Sequence, residues 1–304
     1  MPGTGEVPGT SEVPGTGEVP GTSEVPGTAA VIVDYHMHLR RPEATREEVD
    51  HSPGAIERYL ETAAARGVDE IAFTEHVYYF RQTRDVWTLP YQLERCVYDL
   101  DAYCGVVTDA RRRGLPVKLG LEVDYVGGRQ ERLAEAIAGY PWDLLLGSVH
   151  WIDGLAVDQE PGLWAHRSVE DVWRGYVAAV SELAASGAVD VLAHPDLAKI
   201  FRRLPGPAVV AELYGRLADT LAAAGVAVEI STAGLHKPVG ELYPDPELLR
   251  ACVERSVPVT TASDAHVPAN VGRDFDRALE LARAAGCETV SVFDGRRRRQ
   301  EPLG

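Results

Sequence analysis

From Ala29 onward, short apolar runs alternate with longer segments whose apolar residues recur at helical spacing. AVIVDY (30–35), DEIAFT (69–74), PVKLGLE (116–122), DLLLGSV (143–149), VDVLA (189–193), VAVEIS (226–231) and VPVTTAS (257–263) have the length and β-branched content of buried strands, and TVSVF (289–293) is a candidate eighth. Between them, AIERYLETAAARG, SVEDVWRGYVAAVSELAASG and VVAELYGRLADTLAAAG read as amphipathic helices that stop at glycine. Strand and helix in strict alternation mean successive βα units on a parallel sheet. Seven or eight such units in about 275 residues predict an α/β fold closed into a barrel; the competing open, doubly wound sheet lacks a G-x-G-x-x-G after its first strand.

Residues 2–28 repeat the hexapeptide V-P-G-T-[GS]-E, with one apolar side chain per repeat. That is too little burial to offset the entropy of ordering, so 1–28 is expected to be a disordered leader and 29–304 a single barrel domain.

Polar residues gather where each predicted strand ends. The first run leads into His36 and His38, which share one side of an extended chain; the second ends in Glu75 and His76, the third in Glu122 and Asp124, the fourth in His150. The fifth ends in His194 and Asp196, the sixth leads to His236 and Lys237, and the seventh to Asp264 and His266. An isolated H-x-H is as often a pair of surface histidines as a metal site. In a parallel barrel, however, all these ends open on one face, and seven of the nine histidines lie there. Imidazoles with a few carboxylates and no thiolate suit Zn, Mn or Fe(II) better than Ca or Mg, and the ligands are too many for one ion. Two or three divalent ions are expected, with a carboxylate such as Glu122 bridging.

Charge and cysteine usage narrow the partners. The formal charge is −16, four units of it from Glu6, Glu12, Glu18 and Glu24 of the leader, which makes nucleic acid and anionic membrane poor partners. The basic run Arg296 to Arg299 reads as a solvated tail. Cys96, Cys104, Cys252 and Cys287 are scattered, without a C-x-x-C, and no signal peptide or apolar span of about 20 residues is visible. A soluble protein of the reducing cytoplasm is expected; the oligomeric state is left open.

The ordered series H-x-H, "EH", "GLEVDY", "GSVHW", "HPDLAKIFRRLP", "STAGL...P" and "SDAH" resembles the histidinol-phosphate phosphatases of the PHP (polymerase and histidinol phosphatase) superfamily, from Val31 to about Phe293. The resemblance implies a distorted seven-stranded, TIM-like β/α barrel that holds a trinuclear cluster of Zn, Mn or Fe through nine side chains. Carried onto this chain, the ligands are His36, His38, His51, His76, Glu122, His150, His194, Asp264 and His266. His51 is placed by counting back from the first helix, across a loop, RRPEATREEVD, that departs from the family's short connection. Catalytic weight falls on Glu122, Asp264 and His266.

The implied reaction is hydrolysis of L-histidinol phosphate to L-histidinol and phosphate by a metal-bound hydroxide, a step of histidine biosynthesis, without a covalent phosphoenzyme. Phosphate oxygens need cations, for which the strand-end loops offer Lys199, Arg202, Arg203, His236 and Lys237. Asp196 is a candidate to orient a ligand or protonate the leaving alkoxide, and Glu75, Asp124, Tyr125 and Trp151 are candidates to meet the substrate's amine and imidazole. The alternatives are a PHP enzyme for another small phosphate ester or nucleotide, an amidohydrolase, and an inert metal-binding module. The amidohydrolase reading lacks its lysine at the fourth strand, and an inert module characteristically loses ligands.

Overall fold

A computed structural model describes residue 3 and residues 30–39 and 48–304. Apart from residue 3, the predicted leader lies outside these residues, as does most of the loop RRPEATREEVD. In chain order the elements are β1 (Val33–Asp34), α1 (Pro53–Ala65), β2 (Glu70–His76), α2 (Pro90–Arg95), α3 (Leu100–Arg112), β3 (Val117–Asp124), α4 (Gln130–Ile137) and β4 (Leu144–Ser148). There follow the hairpin β5 (Trp151–Ile152) and β6 (Leu155–Ala156), then α5 (Val169–Ala185), β7 (Val191–Leu192), α6 (Pro207–Ala224), β8 (Ala227–Ser231), α7 (Pro246–Glu254), β9 (Val259–Ala262), α8 (Phe275–Ala285), β10 (Thr289–Asp294) and β11 (Arg297–Pro302).

Seven strands pair in parallel in the order β1-β2-β3-β4-β7-β8-β9. The two edges then approach each other: Tyr35 N donates to Thr261 O at 3.1 Å, Ala265 N to His36 O at 3.2 Å and His38 N to Ala265 O at 2.8 Å. This seam is sparser than a full ladder, so the sheet is a nearly closed, distorted barrel, as the strand count and the alternation predict.

Strand parity sorts the side chains into two cores. Ala72, Leu144, Leu146, Val191, Ala193 and Ala227 pack inside the barrel with Val33 and Tyr35. Their neighbours in sequence, Ile71, Phe73, Leu119, Leu121, Leu145, Leu192, Val228 and Ile230, face outward against the helices. Gly120 sits on the inward parity, where an added Cβ would come within 2.8 Å of Thr74 Cγ2 and 2.9 Å of Leu144 O. Only glycine lets the strands converge there.

TVSVF departs from expectation. As β10 it pairs antiparallel with β11 and joins no barrel ladder. Val290, Val292 and Phe293 insert into the inner core and close the barrel at the N-terminal ends of the strands. The arginine run is likewise not a tail: Arg297 to Arg299 open β11, their side chains exposed, which suits an edge that must not pair with another chain. Among the described residues, no helix is long and apolar enough to cross a membrane.

Candidate active site

Register brings the polar strand ends together. His76 closes β2 opposite Glu122 of β3, and Asp124 closes β3 opposite Ser148 of β4. Glu122 and Glu229 lie on the inward parity of their strands, two residues above Gly120 and Ala227, and Asp124 lies two above Glu122, so the barrel interior turns from small and apolar to ionisable at its C-terminal mouth.

Glu122 is the centre. Its Oε2 lies 2.8 Å from His76 Nδ1, 3.4 Å from His36 Nε2 and 3.5 Å from His38 Nε2; its Oε1 lies 3.3 Å from His194 Nε2 and 3.6 Å from His150 Nε2. Asp264 Oδ1 stands 3.6 Å from His36 Nε2, 3.5 Å from His38 Nε2 and 3.4 Å from His266 Nδ1. Four overlapping sets of ligand atoms each fall within 4.8 Å of one another: His38, His76 and His266; His36, His38 and Asp264; His36, Glu122 and His194; His76, Asp124 and His150. His194 and Asp264 take left-handed backbone conformations, φ 27° and 50°, which is uncommon for residues with a Cβ and clusters at functional sites.

The electrostatics are those of a site built for cations. Burial by itself would lower the His36 and His76 imidazoles, but carboxylates overcome it: Glu229, Glu122 and Asp264 hold His36 well above its usual value, and Glu122 with Asp124 raise His76 to about 10. Glu122, despite a burial that pushes it up, is held well below the carboxylate range by His76, His36 and His150. Among the described residues, both oxygens of Glu122, both nitrogens of His38, His36 Nε2, His76 Nδ1, Asp124 Oδ2 and His194 Nδ1 are buried without a hydrogen-bond partner. Unsatisfied buried polar atoms cost about 1–3 kcal/mol each, so this many in one place fits divalent metal ions, which these imidazoles and carboxylates suit.

Buried carboxylates aim the ligands from behind. Glu229 Oε2 lies 2.9 Å from His36 Nδ1, and its Oε1 accepts the His194 backbone N–H at 2.8 Å. With its Nδ1 proton given to Glu229, His36 presents an Nε2 lone pair to the cluster. Asp124 Oδ1 does the same for His150 Nδ1 at 2.8 Å. Neither Glu229 nor Asp34 stood out in the sequence; the available signal was an acid on the inward parity of an apolar run. Because a glutamine side-chain oxygen would have to serve two N–H donors alone, Glu229→Gln is expected to weaken metal affinity by about tenfold to a hundredfold, read by competition with a chromophoric chelator. Unchanged affinity would show that this carboxylate does not set the His36 tautomer.

Eight of the nine sequence-predicted ligands therefore meet at the mouth. His51 does not join any of the four sets: it directly precedes the Ser52 cap of α1, and its ring packs 5.9 Å from Phe80, 5.6 Å from Tyr98 and 5.1 Å from Tyr103. Burial among these rings lowers its pKa.

A cavity of about 170 Å³ opens over the cluster, lined by His76, Glu122, His150, His194, Asp264 and His266, by the rings of Tyr78, Tyr91, Trp151 and Tyr243, and by Asp158, Gln159 and Lys237 among others. Of the five predicted phosphate cations, only Lys237 lines it. Lys199 is 2% exposed and turned inward, its Nζ donating to Leu242 O at 2.8 Å and paired with Asp196 Oδ2 at 3.1 Å. Arg202 Nε donates to Val239 O at 2.9 Å, Arg203 pairs with Glu160, and His236 Nε2 pairs with Asp274 at 2.6 Å. Asp196 is absent from the lining; its Oδ2 also accepts the Asp245 N–H at 2.7 Å, which ties two mouth loops together. Glu75 accepts the Leu39 N–H at 2.5 Å, and Tyr125 bonds Glu182, so neither reaches the cavity, whereas Trp151 does. A larger cavity of about 610 Å³ lies at the N-terminal ends of the strands and contains none of these histidines.

A family model of the PHP domain matches residues 34–233. A protein of Deinococcus radiodurans described as a probable histidinol-phosphatase is 32% identical over 83% of this chain and 94% of its own length. The histidinol-phosphatase of Bacillus subtilis is 26% identical over 75% of this chain and 93% of its own. Among solved structures, the histidinol phosphate phosphatase of Lactococcus lactis, crystallised with Zn, L-histidinol and phosphate, superposes with a TM-score of 0.70 at 20% identity, covering 89% of this chain and all of that one, a likeness of fold. By the family match and by the extent of its likeness to the Deinococcus protein, the chain belongs to the PHP domain family.

Proposed function

We propose that this protein is a divalent-metal-dependent phosphomonoesterase that hydrolyses L-histidinol phosphate to L-histidinol and phosphate. The observation that carries the reading is the set of eight imidazole and carboxylate side chains centred on Glu122, six of them buried, directly beneath a cavity sized for a small ester. The names of the Deinococcus and Bacillus relatives supply the substrate. Two or three ions of Zn, Mn or Fe would be held by His36, His38, His76, Glu122, His150, His194, Asp264 and His266. When bound, such ions neutralise phosphoryl oxygens and acidify water, the two needs of a slow phosphomonoester hydrolysis.

The chain's own residues do the rest. Glu122 and Asp264 supply the negative charge that lets cations sit close together, while Glu229 and Asp124 fix the ring orientations of His36 and His150. Lys237, exposed at the rim, offers an ammonium to the phosphate. Tyr243 is 1% exposed, its hydroxyl without a partner among the described residues, and burial holds its phenol far above its usual pKa, so it remains a neutral donor facing the cavity. Tyr78, Tyr91 and Trp151 form an aromatic wall for the leaving group. Free thiols at all four cysteines agree with work in a reducing cytoplasm. The small cavity and acidic chain speak against long nucleic acid as a substrate.

The test is phosphate release from histidinol phosphate against a panel of nucleotides, sugar phosphates and amides, with Zn, Mn and Fe supplied separately. Turnover of about 1–1,000 per second on histidinol phosphate, abolished by chelation and restored by metal, is expected. Preference for a nucleotide or an amide would overturn the reading.

A further inference from the structure

Resting on the phosphatase reading above, we propose that Asp158 is the specificity residue of this site, the anionic partner of a positively charged leaving group. Three carboxylates line the cavity: Glu122, Asp158 and Asp264. Glu122 and Asp264 are committed to the histidines. Asp158 is half-buried, takes part in no salt bridge or side-chain hydrogen bond among the described residues, and lines the same cavity as His150 and Tyr243.

Its position is built. Asp158 follows the β5–β6 hairpin, an excursion from the barrel right after the ligand His150. Val157 N donates back to His150 O at 2.8 Å, and Val157 O accepts Trp164 Nε1 at 2.8 Å, so the residue before Asp158 is pinned on both backbone groups. Beyond it the chain folds back at Gly162, φ +35°, where any Cβ would lie 2.5 Å from Ala156 O. Pre-organisation of this kind lowers the entropy cost of a binding contact.

An unpaired carboxylate in a pocket that must receive a phosphate dianion is a liability. Repulsion penalises every ester whose leaving group is neutral or anionic, and is repaid only when the leaving group carries its own cation. The facing wall has the matching chemistry: Tyr78 and Trp151 meet edge to face at 5.4 Å, and Tyr91 lies 5.6 Å from Trp151, rings against which a cation or an imidazole packs favourably. Asp158 and these rings together describe a subsite for an amino alcohol bearing a flat ring. They also describe a filter against nucleotides and sugar phosphates.

The experiment compares wild type with Asp158→Asn, an isosteric change that removes only the charge, on histidinol phosphate and on phenyl phosphate, both with the metal-loaded enzyme. The preference for histidinol phosphate, as the ratio of the two kcat/KM values, is expected to fall about tenfold to a hundredfold, mainly through KM for histidinol phosphate, the size expected for a lost charge-assisted hydrogen bond. Activity on phenyl phosphate reports that the variant is folded and metallated. Asp158→Glu should keep most of the preference. A wild-type preference that Asp158→Asn retains, or equal losses on both esters, overturns this inference alone. A wild-type enzyme that ignores histidinol phosphate overturns the phosphatase reading and this inference with it.

Discussion

Glu122→Gln is expected to lower kcat/KM for histidinol phosphate by at least about a thousandfold, beyond the ten- to hundredfold typical of groups that merely orient a metal ligand. The size follows from geometry. One carboxylate lies between 2.8 and 3.6 Å from nitrogens of five histidines, His36, His38, His76, His150 and His194. Glutamine keeps the shape but loses the charge that balances cations at close range, and it offers one acceptor oxygen where both carboxylate oxygens face imidazoles. Metal content by elemental analysis should fall below that of wild type, while far-UV circular dichroism is retained, because the change is isosteric and the surrounding core is set by Leu119, Leu121 and Val123 on the opposite parity. Full metal content with near-wild-type turnover would mean that the cluster does not depend on a shared carboxylate, and the site as assembled here would be wrong.

What could be read in the sequence follows from which signals are periodic. Strands β2, β3, β4, β8 and β9 fall on the predicted runs because a strand buried on both faces must be apolar throughout, and the ligand residues stand out as the places where that rule stops. β1 shrinks to two residues because backbone groups at the seam bond outside the ladder, as when Tyr35 N reaches Thr261 O; β7, between β4 and β8, is also only two residues long. The β10–β11 plug was hidden because β11 begins with three arginines: an exposed edge strand carries no apolar alternation to detect.

The histidine and carboxylate cluster was legible from residue type and strand end alone. Direction was not. Lys199 and Arg203 are as near in sequence to the mouth as Lys237, but Lys199 turns into the core toward Asp196 and Arg203 turns out toward Glu160. Counting back from α1 carried His51 to a place among aromatic rings, because a long loop erases register. Asp158 comes from a hairpin excursion, and nothing in the βα alternation announces which excursion returns to the cavity.

Asp34→Ala is expected to destabilise the protein by about 3 kcal/mol or more, from two buried backbone donors and a hydroxyl left without acceptors at about 1–3 kcal/mol each. Asp34 Oδ1 accepts the Ser263 N–H at 2.8 Å, and Oδ2 accepts the Ser263 hydroxyl at 2.6 Å and the Gly272 N–H at 2.8 Å. These bonds clamp β1 to the segment that presents Asp264 and His266, across the seam where the backbone ladder is thinnest. Burial pushes the Asp34 carboxyl up to about 6 even though Ser263 and Gly272 donate to it, a measure of how much it costs to keep this acid inside. Urea denaturation of metal-stripped protein should show the loss directly. In the metal-loaded protein the loss should be larger, because a displaced Asp264 also weakens the metal binding that favours the folded state. Asp34→Asn, which keeps one acceptor oxygen, should fall between the two. Equal stability of wild type and Asp34→Ala in both conditions would show that the seam is held by packing alone, and the placement of Asp264 would then need another cause than the acid at the base of the H-x-H motif.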